Sequence, residues 1–218
     1  MKSISTPWKK SRTFGDIYGG RQRLRLNDNI FQRAHSLQKP SANENTPILI
    51  QDNPSKNFFF PISVYEAQVA LTELPNNDAY GITHLWLRRL SNSEYKSGSR
   101  PLAEFICGSG VRVIILYPFP KSLKMELSTK KPAAKKVREI HRFCNQLQKD
   151  KDGWFIQWDL NALRKYYINS LLYHEVGHHV DWYSRHWSRA NNKQVEEFAN
   201  QYAIQKTALT TQVINKLK

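Results

Sequence analysis

From Tyr166 to Ser184 the chain has no lysine or arginine, although its 218 residues hold 33 basic against 18 acidic residues and a net charge of +15. The gap is filled by Tyr167, Ile168, Leu171, Leu172, Tyr173, Val176, Val180 and Trp182. On a helix these cover nearly the whole circumference, which marks a buried helix rather than a surface one with a single apolar face. A polar group inside such a helix must find a partner, because burying it unpaired is costly. The same stretch nevertheless contains His174, Glu175, His178, His179 and Asp181. A hydrophobic fraction of 40% over this length is enough to build one core around that helix without disulfides. Cys107 and Cys144 stand alone rather than in a CxxC pair, so neither a disulfide scaffold nor a cysteine zinc site is expected. Two isolated thiols fit a reducing cytoplasm, which is the expected compartment. No run approaches the roughly 18 apolar residues of a membrane helix, and the first sixteen residues lack the apolar stretch of a signal peptide.

Two regions organise around the helix. Residues 1–55 carry turn formers such as Gly19-Gly20, Pro40, Pro47 and Pro54 without sustained periodicity, and are expected to be a basic, loop-rich arm. Residues 56–218 are expected to form one α+β domain. Ser63 is a fair N-cap for a helix over Val64–Leu71. Strands are expected at Ile82–Leu90, Leu102–Cys107 and Val111–Tyr117, the last two joined by the hairpin turn Gly108-Ser109-Gly110. Pro132 suits the first position of a helix that buries Ala133, Val137, Ile140, Cys144 and Leu147. A fourth strand lies near Trp154–Trp158, and two long helices follow, about Ala162–Ser184 and Lys193–Leu217. A small, mostly antiparallel sheet packed on the buried helix is the expected architecture.

His174-Glu175-Val176-Gly177-His178 is an HExxH motif. Histidines at i and i+4 lie about 40° apart on a helix, so both imidazoles reach one ion, and zinc accepts neutral imidazole. Glu175 is offset by about 100° and can address a metal-bound water. His179 points away from the pair and reads as structural or as a support behind the ligands. Gly177 costs about 1 kcal/mol relative to alanine in a helix, so close packing against another element is expected. A third ligand of the HExxHxxGxxH kind is excluded, since Asp181 and Ser184 stand where Gly and His would be needed. On the last helix the apolar stripe runs through Val195, Phe198, Ala199, Tyr202, Leu209 and Val213. Glu196 falls beside that stripe and Glu197 about 200° from Val195, towards solvent, which makes Glu196 the third ligand.

HEVGH followed by Glu196-Glu197-Phe198-Ala199-Asn200-Gln201-Tyr202-Ala203 resembles the small gluzincin metallopeptidases, most closely over about Leu171–Ala203. The resemblance implies a zincin-like fold, one zinc per chain held by His174, His178 and Glu196, and hydrolysis of a peptide or protein substrate. Water activated by the metal and by Glu175 would attack the scissile carbonyl, and Glu175 would pass the proton to the leaving amine. It also implies a peptide-pairing edge strand, read here as Val111–Tyr117. Family members commonly place an acid four residues after the third ligand to orient an imidazole. Here that position is Asn200, which can accept a hydrogen bond but raises ligand basicity less than a carboxylate. Asp181 could orient an imidazole or close the helix end. Tyr173, Tyr183, His186 and Tyr202 are all candidates for the oxyanion donor.

The excess positive charge is concentrated in residues 1–60, including Arg21, Arg23 and Arg25, and again from Lys121 to Lys151. Arg21, Arg23, Arg25, Lys131, Lys135 and Arg138 are the candidate contacts to nucleic acid through phosphate neutralisation. A second reading of the chain follows from them: a basic nucleic-acid- or partner-binding protein whose zincin-like domain is structural or inactive.

Overall fold

The structure is a computed structural model, and it describes residues 37, 46–96, 101–108, 111–144, 147–185 and 187–217. The fold is α+β. Its main sheet has four strands in the order β1-β3-β5-β4: β1 Ile48–Gln51, β3 His84–Leu87, β5 Val111–Leu116 and β4 Ala103–Gly108. β1 pairs parallel with β3, β3 parallel with β5, and only β4 runs antiparallel, on β5. The main sheet is therefore mixed rather than mostly antiparallel. The physical reason stands in the strands themselves: His84-Leu85-Trp86-Leu87 and Val113-Ile114-Ile115-Leu116 are continuous buried runs, as parallel strands covered on both faces require. Leu85, Leu87, Phe105, Ile114 and Leu116 join the core shared with the helices, while Trp86, Ile106, Val113, Ile115 and Tyr117 form a second cluster that Leu37 and Ile50 pack against.

Two expectations are corrected by this topology. β1 lies within the residues assigned to the arm; four residues between Pro47 and Pro54 are too few to show a period. Val111–Leu116 is an interior strand, and the edge next to it is β4.

A two-stranded ribbon pairs β2 (Phe58–Phe59) with β6 (Phe119–Pro120), and a three-stranded antiparallel sheet has the order β7-β9-β8. Its strands are β7 Lys124–Ser128, β8 Leu147–Lys149 and β9 Trp154–Gln157. Helix α1 (Val64–Thr72) starts where the sequence places it. Ser63 Oγ accepts from the Glu66 amide at 3.2 Å and Glu66 Oε2 accepts from the Ser63 amide at 2.7 Å, a full capping box. α2 is the short helix Asn92–Lys96. α3 spans Ala134–His141, beginning after Ala133 rather than at Pro132, and Cys144 lies beyond it, buried, its thiol donating to the Gln157 carbonyl at 3.1 Å.

The long buried helix has three parts: α4 Leu160–Tyr166, a π-helical segment Tyr167–Leu172, and α5 Tyr173–Ser184. Asp159 caps its start by accepting from the Ala162 amide. Three side chains anchor the segment around the π-turns. Tyr167 Oη donates to the Tyr117 carbonyl at 2.8 Å and Tyr173 Oη to the Ala70 carbonyl at 3.1 Å. Asn169 Nδ2 donates to the Ala203 carbonyl at 2.8 Å and to Thr210 Oγ1 at 3.0 Å.

The last helix is two, α6 Asn192–Gln205 and α7 Thr207–Lys216. The break falls where Asn169 takes the Ala203 carbonyl, which an unbroken ladder would give to the Thr207 amide. α5 and α6 cross closely at Gly177, where an added Cβ would lie 2.8 Å from Ala199 Cα. No helix among the described residues is long and apolar enough to cross a membrane.

Candidate metal centre

The glycine at the crossing decides what faces what. Because Gly177 lets the α6 backbone approach α5, a side chain one turn before Ala199 on α6 can reach the imidazoles flanking Gly177 on α5. Glu196 does so. His174 Nε2 and His178 Nε2 are 3.0 Å apart, and Glu196 Oε2 is 3.6 Å from His174 Nε2. One donor atom from each of the three residues lies within 4.8 Å of the others. Glu197, one residue on, is exposed and pairs only loosely with Lys193 at 3.7 Å, as the helical geometry predicts.

The donor set fits a divalent zinc. Two imidazole nitrogens bound tetrahedrally at about 2.0–2.1 Å sit roughly 3.3–3.4 Å apart, within a few tenths of an ångström of the observed separation. Two histidines and one carboxylate are also a ligand set that leaves a coordination position open.

Glu175 is buried at 6% exposure directly beside this set. Trp187 forms an apolar wall: its ring meets His178 edge-on at 5.5 Å, Phe105 at 6.2 Å and Trp182 at 5.5 Å. Asp181, fully buried, fixes that wall. Its Oδ2 accepts from Trp187 Nε1 at 2.9 Å and its Oδ1 from Arg185 Nε at 3.0 Å. Asp181 therefore acts on the indole rather than on an imidazole, a contact six residues away across the helix end that no helical wheel displays. Asn200 is half-buried one turn beyond Glu196 on α6.

His179 is structural, as its angle implies. Its Nε2 donates to the Tyr80 carbonyl at 2.9 Å, which leaves Nδ1 as a buried acceptor without a donor among the described residues. Burial pushes this imidazole down to about 4, so it is neutral at physiological pH.

Of the four candidate oxyanion donors, two are committed elsewhere. Tyr173 donates to Ala70, and Tyr202 donates to Asp78 Oδ2 at 2.6 Å in a group that includes Lys206. Desolvation raises the pKa of both phenols. Tyr183 lies on the His179 side of α5, with Arg112 4.3 Å above its ring. His186 is outside the described residues.

The basic residues are placed in part. Lys131 and Arg138 are exposed, Lys135 belongs to α3, and Arg21, Arg23 and Arg25 lie outside the described residues. No family model, curated protein or solved structure matches the chain, and the donor set stands on its own geometry.

Proposed function

We propose that the chain is a zinc-dependent peptidase of gluzincin type on a zincin-like fold, with His174, His178 and Glu196 as metal ligands and Glu175 as general base. The observation that carries this reading is the convergence of Glu196, from a separate helix, on two histidine nitrogens 3.0 Å apart. Zinc bound there would supply Lewis-acid polarisation of a substrate carbonyl and bring the acidity of water near neutrality.

The rest of the work falls to side chains. Glu175, buried and offset from the two ligands, takes a proton from the attacking water and delivers it to the leaving amine. Trp187, held by Asp181, covers one side of His178 and keeps that imidazole in a single orientation. An extended substrate adds to β4, the antiparallel edge of the sheet, rather than to the interior β5. Phe105 on that edge already touches Trp187 and His179.

The test separates the metal from the base. Glu175→Gln keeps the shape of the side chain and removes its basicity. Zinc content should stay near one per chain while cleavage of a peptide library falls by about 10²-fold or more. Full activity in Glu175→Gln, or a wild-type protein that binds zinc and cuts no peptide, would overturn the reading.

A further inference from the structure

The basic cluster between Lys121 and Lys151 is two surfaces in the folded chain. One is α3, where Arg138 is exposed. The other is an end of the three-stranded sheet, where Lys131, in the loop after β7, and Lys149, closing β8, converge on Trp154 at the start of β9. Their ammonium groups lie 6.0 and 5.9 Å from the centroid of the Trp154 ring.

Both lysines are exposed, as are Lys130 and Lys151, while Trp154 is half-buried. Six ångströms is the outer limit of a useful cation–π contact, and two ammonium groups beside one indole repel each other. The ring alone does not account for the pair. The neighbouring Asp150 is already engaged: Lys124 Nζ donates to its Oδ2 at 2.7 Å, and the Asp152 and Gly153 amides donate to its Oδ1. The exposed acids in the strands and turn around the ring are Glu126, paired with Phe155 rather than with Trp154, and Asp152, fewer than the four exposed lysines Lys130, Lys131, Lys149 and Lys151.

The backbone that carries the ring is also held. Gly153 has φ +136°, and an added Cβ would lie 2.7 Å from the Ser128 carbonyl oxygen, so the turn before Trp154 is wedged against β7. The Asp150 amide closes the turn on the Gly153 carbonyl at 2.9 Å.

We infer that this sheet end docks single-stranded nucleic acid, with a base stacked on the exposed part of Trp154 and Lys131 and Lys149 neutralising the phosphates beside it. An aromatic ring on a wedged turn, flanked by exposed cations, is the pairing that an unpaired nucleotide offers in return, a π-face next to a phosphate. An acidic peptide would use the lysines and leave the ring idle. A duplex keeps its bases stacked and would use only the charge. The surface shares no residue with the donor set and does not rest on the peptidase reading.

The test uses the full chain, a fluorescein-labelled ten-nucleotide dT strand and a duplex of the same length, with anisotropy read across a salt series. The single strand should bind more tightly than the duplex. Lys131→Ala with Lys149→Ala should lower the slope of log K against log salt by about 1.4, two phosphates at roughly 0.7 each. Trp154→Ala should weaken binding by about five-fold or more. Trp154→Tyr, which keeps a ring, should hold most of the affinity and distinguishes lost stacking from a damaged sheet. No binding at 50 mM salt, equal binding to the duplex, or an unchanged slope in the lysine variant would overturn the inference. So would competition by polyglutamate as effective as unlabelled dT strand.

Discussion

His178 and His179 are neighbours in sequence and almost equally buried, at 2% and 1% exposure, yet they have opposite fates. His178 meets another imidazole nitrogen at 3.0 Å, with the Glu196 carboxylate close by. His179 meets a backbone carbonyl, at Tyr80, and the edges of Phe105 and Tyr183. One helical step of about 100° separates them. Burial alone therefore says nothing about whether a histidine holds a metal; what matters is whether the facing element supplies a carboxylate or a carbonyl. A carbonyl is satisfied by one N–H, and burial keeps that ring neutral. A carboxylate and a second imidazole bring three potential donor atoms together, a group that could hold a metal ion.

The contrast can be broken in graded steps. The largest effect belongs to His178→Ala, which removes one of the three proposed ligands. Zinc affinity, read by titration against a chelating dye, should fall by more than the roughly 10–100-fold that losing an outer-shell partner costs. Glu196→Ala should also strip zinc, whereas Glu197→Ala should keep about one zinc per chain, because only Glu196 faces the pair. Equal metal content in those two variants would sink the ligand assignment.

Gly177→Ala tests the helix crossing itself. The new methyl would press on the Ala199 backbone, so α5 and α6 must separate, at about 1–3 kcal/mol, offset by about 1 kcal/mol of better helix propensity. A lower Tm together with weaker zinc binding is expected. Unchanged zinc affinity would show that the crossing does not position Glu196. The smallest effect on the metal belongs to His179→Ala. It leaves the Tyr80 carbonyl without its donor, so stability should drop by about 1–3 kcal/mol in urea unfolding while zinc content holds. Loss of zinc in that variant would erase the distinction between the two histidines.

Much of the site was legible because its geometry is local. The HExxH spacing, the inward turn of Glu196, the outward turn of Glu197 and the structural role of His179 all follow from 100° per residue. The Ser63 cap is equally local. What escaped depends on partners distant in sequence. β1 is recognisable only from β3 beside it, and the edge character of β4 only from knowing that β5 has β3 on its other side. The reading of Val111–Tyr117 as an edge came from the family resemblance, although Val113-Ile114-Ile115-Leu116 already carries the unbroken apolar run of a strand covered on both faces. Asp181 shows the same limit at short range, because the chain leaves the helix before Trp187 folds back onto it. A signal for β7 was present and unread: Met125 and Leu127 alternate with Lys124, Glu126 and Ser128.

The π-helical segment Tyr167–Leu172 sets the phase of everything after it. A π-turn holds an extra residue relative to an α-turn, and here the Tyr173 amide reaches back five residues, to the Ile168 carbonyl. Upstream of it α4 is oriented by Asp159 and the core; downstream come His174, Glu175 and His178. Deleting one residue between Tyr167 and Leu172 would let the ladder close as ordinary α-helix and turn the whole downstream helix by about 100° against α4. The imidazoles would then leave Glu196 for another part of the core, with every ligand residue still present in the chain. The donor set is thus specified by a count of residues as much as by their identity.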